Sequence, residues 1–134
     1  MIKFKKLHWL IRMIKREDRQ QLYEFIKLDM AIKSLQRDYD VLGSLKMSKV
    51  YLNIVDALLK DIRNDYYNKK RYLAKQKIEV VRWVKTSEHF SEVTIRTPGE
   101  DEVHQYANQA LKTHTEELIF TYLKEINDNA NSKN

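Results

Sequence analysis

Ile78-Glu79-Val80-Val81-Arg82-Trp83-Val84, followed by Phe90-Ser91-Glu92-Val93-Thr94-Ile95-Arg96, is the stretch whose reading decides the fold. Both runs are short and rich in β-branched and aromatic residues, which suit a half-buried pleated surface. The stretch Lys85 to His89 can turn between them, so a two-stranded hairpin is expected over about 78–96. An isolated hairpin is marginal in water, and helices must cover one of its faces.

The flanks supply those helices. From Glu17 to Leu42, Phe25, Leu28, Ile32, Leu35, Tyr39 and Leu42 alternate spacings of three and four, a heptad seam. Gly43 is expected to close this helix in the left-handed conformation, with 44–47 as the link and Ser48 as the next cap. The following segment, about 48–76, places Tyr51, Ile54, Val55, Leu58, Ile62, Tyr66 and Leu73 on one apolar face. Beyond the hairpin, Thr97-Pro98-Gly99-Glu100 reads as a strand break and a helix start, with Glu100, Asp101 and Glu102 at the positive helix end. The last helix is then expected to reach about Asn127 through Val103, Tyr106, Ala107, Ala110, Leu111, Leu118, Tyr122 and Ile126. Residues 128–134 are polar and expected to form a disordered tail.

At the other end, Met1 to Arg16 carries Lys3, Lys5, Lys6, Arg12, Lys15 and Arg16 and no acid. These six account for the whole formal net charge of +6, so the rest of the chain is neutral. Phe4, Leu7, Ile11 and Ile14 share a helical stripe, with Trp9, Leu10 and Met13 widening it. The expected fold is therefore mainly α. It has three long helices plus a short basic N-terminal helix over 1–16, and a small two-stranded β-hairpin before the last helix. Residues 17–127 form a single helical domain.

Composition narrows the function. With 134 residues the chain fits one domain with its own core. Two glycines and one proline favour few, long elements. The absence of cysteine excludes disulfides, thiolate metal sites and cysteine nucleophiles. The leader has no small-residue cleavage site, and no apolar run is long enough to span a bilayer. The expected location is the cytoplasm.

From about Met13 to Leu123 the chain resembles the YhjD-like family of small uncharacterised proteins of Bacillus-type bacteria. The residues that carry this are Glu17-Asp18-Arg19, Leu28-Asp29-Met30-Ala31-Ile32 and Arg37-Asp38. Further along, Lys77-Ile78-Glu79-Val80, His89-Phe90-Ser91-Glu92, Glu116-Glu117-Leu118 and Tyr122-Leu123 continue it. The resemblance implies a setting and no mechanism. It also implies that residues 1–12 precede the usual family start, as an extension or through an upstream start codon.

Few residues read as chemistry. His8, His89, His104 and His114 are scattered, and Glu100/His104 and His114/Glu117 are spaced as ordinary helix-surface pairs. No His-Glu-x-x-His or Gly-x-Ser-x-Gly motif and no glycine-rich phosphate loop occurs. No catalytic residue, metal or cofactor is assigned, and a non-enzymatic role is expected. The leading reading is an interaction or regulatory module that self-associates or binds a protein partner, with Leu28, Ile32, Leu35 and Trp9 at the interface. A second reading is nucleic-acid binding through Lys5, Lys6, Arg12, Lys69, Lys70 and Arg71, with Tyr66, Tyr67 and Tyr72 available for stacking. A third is attachment of residues 1–16 to a membrane surface.

Overall fold

The computed structural model describes residues 14–132. Among them, three helices and three strands follow in the order α1 (Arg16–Gly43), α2 (Ser48–Lys75), β1 (Glu79–Lys85), β2 (Phe90–Arg96), β3 (Glu102–Ala107) and α3 (Asn108–Ser132). The helices α1 and α2 form a long helical pair, and α3 packs on both. The strands form one antiparallel sheet in the order β1-β2-β3.

This corrects the expected fold. The sheet has three strands where a two-stranded hairpin was predicted, because Glu102–Ala107 is a strand and not the first turns of the last helix. Thr97 does organise the break, but it closes a turn. Its hydroxyl donates to the Glu100 carbonyl at 2.8 Å and accepts from the Gly99 N–H at 3.1 Å. The helix begins only at Asn108 and runs to Ser132, beyond the expected end at Asn127. Residues 1–13 of the predicted N-terminal helix lie outside the described residues. Lys15 is extended, with φ −62° and ψ 151°, so the 14–15 segment does not continue α1 backwards as a helix.

Helix ends also differ from expectation. Gly43 has no positive φ. The end of α1 is instead tightened by backbone bonds from Ser44 to Val41 and from Leu45 to Leu42. The N-cap of α2 is Met47, not Ser48, and has no side-chain cap bond. The left-handed position falls at Lys77, with φ 57°, just past α2. There the Ile78 N–H reaches the Leu73 carbonyl and the Lys77 N–H reaches Ala74, the two bonds of a Schellman closure. Ile78 and Leu73 then meet in the core, the apolar contact that usually accompanies this closure.

The sheet's faces follow from its register. Val80 opposes Ile95 and Trp83 opposes Val93, while Arg82 opposes Thr94. A bulge between Val80 and Arg82 lets residues three apart share the inner face. That face and the ends of the helices bury Leu22, Ile26, Leu73, Ile78, Val93, Ile95 and Leu111. A second cluster, Leu28, Ala31, Leu35, Val55, Leu58, Leu59 and Ile62, lies between the helices and is covered in part by Leu118, Ile119, Tyr122 and Ile126 of α3. Burying each large aliphatic side chain stabilises the fold by roughly 1.5–3 kcal/mol.

Candidate functional site

The heptad seam of α1 is spent inside the molecule. Leu28 and Leu35 are buried between the helices, and Ile32 packs beside them half-buried. These side chains face α2 and α3 of the same chain, so Leu28 and Leu35 present no surface to a partner. Trp9 lies outside the described residues. Phe120 on α3 and Val103 on β3 are exposed singly or nearly so, whereas half of the exposed large apolar residues among those described gather where α1 turns into α2. Val41 is 63% exposed, Met47 59% and Val50 50%, and Leu45, Tyr51 and Ile54 are exposed beside them. Arg37, Lys46 and Lys49 are interspersed with Asp38, Asp40 and Asp56, and all six are exposed. The patch is thus apolar with balanced charge. The sequence signal for it was available: Val41, Leu45 and Met47 fall off the heptad seam or in the link, where a core role is not expected.

The basic cluster on α2 is not one surface. Successive helical residues point about 100° apart, and the three cations diverge accordingly. Lys69 donates to Gln21 Oε1 on α1 at 2.5 Å. Arg71 pairs with Asn68 on its own helix, exposed. Lys70 turns the other way, into a groove. Tyr66 stacks on Phe25 at 4.9 Å and meets Tyr67 edge-on, while Tyr72 donates to the buried Asp18 at 2.8 Å. Lys5, Lys6 and Arg12 lie outside the described residues.

The groove lies between α1, the C-terminal half of α2 and the start of β1. It has a volume of about 540 Å³. Phe25, Tyr66, Leu73, Ile78 and Val80 line it, with Lys70, Lys77, Arg96 and Glu79 as its charged groups. The sequence placed Lys77 with the basic run of α2 and did not connect it with Arg96, because the αL corner and the strand end that bring them together are tertiary features.

A polar cluster fills the space between β3 and the start of α1. Glu102 Oε2 accepts from the Ile14 N–H at 3.2 Å, and its Oε1 lies 3.2 Å from His104 Nε2 and 3.9 Å from Arg19. His104 Nδ1 lies 3.4 Å from the Tyr106 hydroxyl. Tyr106 packs against Tyr23, whose hydroxyl bonds to His114. Burial pushes the Tyr106 hydroxyl up to about 12; Tyr23 adds to this and Arg19 opposes it. Because His104 is on a strand, it is not the helical partner of Glu100 that the spacing predicted. Tyr122 is raised too, first by burial and then by its bond to Asp65. Such hydroxyls hold their protons at neutral pH and act as donors. Among the described residues no group of three or more His, Cys, Asp or Glu could hold a metal ion, and no helix is long and apolar enough to cross a membrane.

No curated protein and no solved structure matches the chain. The family model described as YhjD protein matches residues 13–127, spanning α1, α2, the whole sheet and most of α3. The exposed turn, the groove and the polar cluster all fall inside that match, whereas residues 1–12 fall before it. The chain is a member of the YhjD protein family.

Proposed function

We propose that the chain is a non-enzymatic, cytoplasmic interaction module that self-associates through the turn between α1 and α2. The observation that carries this is the exposure of Val41, Leu45, Met47, Val50, Tyr51 and Ile54 together at one end of the molecule. A contiguous apolar patch on a soluble domain marks a contact surface more often than a scatter of single residues does. The partner is a second copy. The patch carries three cations and three carboxylates, so a twofold-related copy can set acid against base without a net charge penalty.

The test is sedimentation of the full chain over a range of concentrations, beside a Met47→Lys/Val50→Glu double variant that keeps the net charge. The wild type is expected to show a concentration-dependent dimer mass. The variant is expected to stay monomeric with an unchanged melting temperature. A wild type that is monomeric throughout, or a variant that dimerises equally, would overturn the reading.

The nucleic-acid reading draws less support from the geometry. Lys69, Lys70 and Arg71 diverge, with Lys69 engaged by Gln21, so a single backbone would meet them one at a time. Backbone binding of that kind would weaken steeply with salt, which a filter assay with and without added salt measures directly.

A further inference from the structure

We propose that the groove between α1, the C-terminal half of α2 and β1 binds a small anion with an apolar body. Four observations converge on it. The volume, about 540 Å³, is in the range of small-molecule sites, and the lining combines apolar side chains with a few charged ones. Tyr66, Lys70, Leu73 and Ala74 recur at spacings of three and four along α2, and Lys77 joins them from the corner just past the helix, so this end of α2 delivers both the aromatic floor and two of the cations. The charged groups are Lys70, Lys77 and Arg96 against Glu79 alone, and that carboxylate is already 3.4 Å from Arg96. The mouth is therefore positive over an apolar floor.

The fourth observation is the backbone at Lys77. Its φ of 57° is a conformation that favours glycine and that other residues adopt at a cost. The helix end does not require a lysine there. Lys75 already supplies a cation to the last turn of α2, and the Schellman closure is made by backbone groups. What Lys77 adds is a cationic residue lining the groove. Strain of this kind tends to sit where a side chain has a task.

Phe25 and Tyr66, stacked at 4.9 Å, offer an apolar floor to an aromatic or an acyl body, and the cations hold a carboxylate, sulfonate or phosphate head. The chain's own leader is the wrong occupant, because its six charges are all positive. The anionic head separates this ligand from a merely apolar guest.

The experiment is an amide-resolved NMR titration of the full chain with 2-naphthoate and, separately, decanoate, beside neutral 2-naphthalenemethanol. At least one anion is expected to shift Lys70, Ala74, Lys77, Val80 and Arg96 in a saturable way. Response to naphthoate alone assigns an aromatic body and response to decanoate alone an acyl one. The neutral analogue is expected to bind at least about threefold to fivefold more weakly, the size of a partly exposed charge pair. Lys77→Gly is expected to weaken anion binding by a similar factor while the melting temperature holds or rises. A residue that served only the helix end would not divide the two readouts in this way. Glu79→Gln, which removes the lone carboxylate, is expected to tighten binding. The proposal falls if neither anion perturbs the groove, if the neutral analogue binds as well, or if Lys77→Gly binds like wild type. It also falls if these resonances move on dilution alone, since a second copy would then fill the groove.

Discussion

The two ends of the helical pair are built differently. At the sheet end, the apolar side chains in the middle of β2 are inside: Val93 and Ile95 have no measurable exposure, and only Phe90 at the strand's start is exposed. Polar groups there are tied down as well. Asn108, the first residue of α3, bonds the Ser87 and Glu88 carbonyls and accepts from Ser91, pinning the β1–β2 turn to the helix. At the turn end, six large apolar residues face solvent, while Ser44 bonds the Val41 carbonyl and Tyr39 bonds Asp56 across the pair. The sheet end closes over a buried core and leaves Val81, Phe90 and Val103 exposed on separate strands, whereas the turn end gathers its exposed apolar residues in one place. Stability and association should therefore be separable by position along the same two helices.

The largest expected effect tests that separation. Ile95→Ala removes a fully buried side chain from the sheet's inner face and should cost about 2–5 kcal/mol. Val50→Ala, at the turn end, should stay within about 0.5 kcal/mol. Urea unfolding of both, read at constant slope, measures the contrast. Equal losses would mean that the turn end is also core, and the association surface would then have to be sought elsewhere.

A smaller effect is expected at Asn108. Replacing it by Ala leaves the buried Ser91 hydroxyl and two turn carbonyls without their partner. An unsatisfied buried polar group costs about 1–3 kcal/mol. Hydrogen exchange should show the loss concentrated in 86–91 and in the first turn of α3. A uniform loss of protection would show that Asn108 supports the whole domain and not the turn.

These positions also show what the sequence could reveal. The strands β1 and β2 were legible, because Val80, Trp83, Val93 and Ile95 are apolar and face one core. Strand β3 was not. Its inward residues are Glu102, His104 and Tyr106, and its outward ones include Val103, which is 60% exposed. The usual alternation is inverted, and it is tolerated because Glu102 and His104 satisfy each other together with Arg19 and the Ile14 amide. The acidic run after Thr97-Pro98-Gly99 then imitated a helix start. Local propensity carried no trace of partners 88 residues away in sequence. The site followed the same logic. The α1 seam was visible in its spacing, but spacing could not say whether Leu28 and Leu35 faced another helix of the same chain or a second copy. Nor could it foresee that Lys77 would take the αL corner and join Arg96 on one groove.

Lys77→Gly bears on the same end of the molecule. Relief of the left-handed strain is opposed by the extra freedom glycine has when unfolded, about 0.5–1 kcal/mol. A gain of up to about 1 kcal/mol in urea unfolding is expected. A clear loss would mean that the lysine side chain itself holds the α2–β1 corner.

The smallest effect is the share of the alkaline pH dependence that Tyr106 contributes at the sheet end, beside the raised Tyr122 under α3. Tyr106 is raised from 10.0 in the unfolded chain to about 12 in the folded one, mainly by burial. Unfolding therefore favours loss of the proton. The stabilising contribution of the neutral hydroxyl is complete below pH 10 and is lost as the pH rises through about 12. Tyr106→Phe removes this titration and should flatten the alkaline fall in the urea midpoint relative to wild type, with little change at neutral pH. Its hydroxyl is only 3.4 Å from His104 Nδ1, a long contact, so little bonding energy goes with it. Tyr122 titrates in both proteins, so the difference between them isolates Tyr106; if Tyr106→Phe lost as much stability as wild type between pH 10 and 12, the burial of that ring would contribute nothing to the alkaline fall. The source would then be Tyr122, raised by burial and by Asp65 beneath α3, and the alkaline weakness would belong to the helix contacts instead of the sheet.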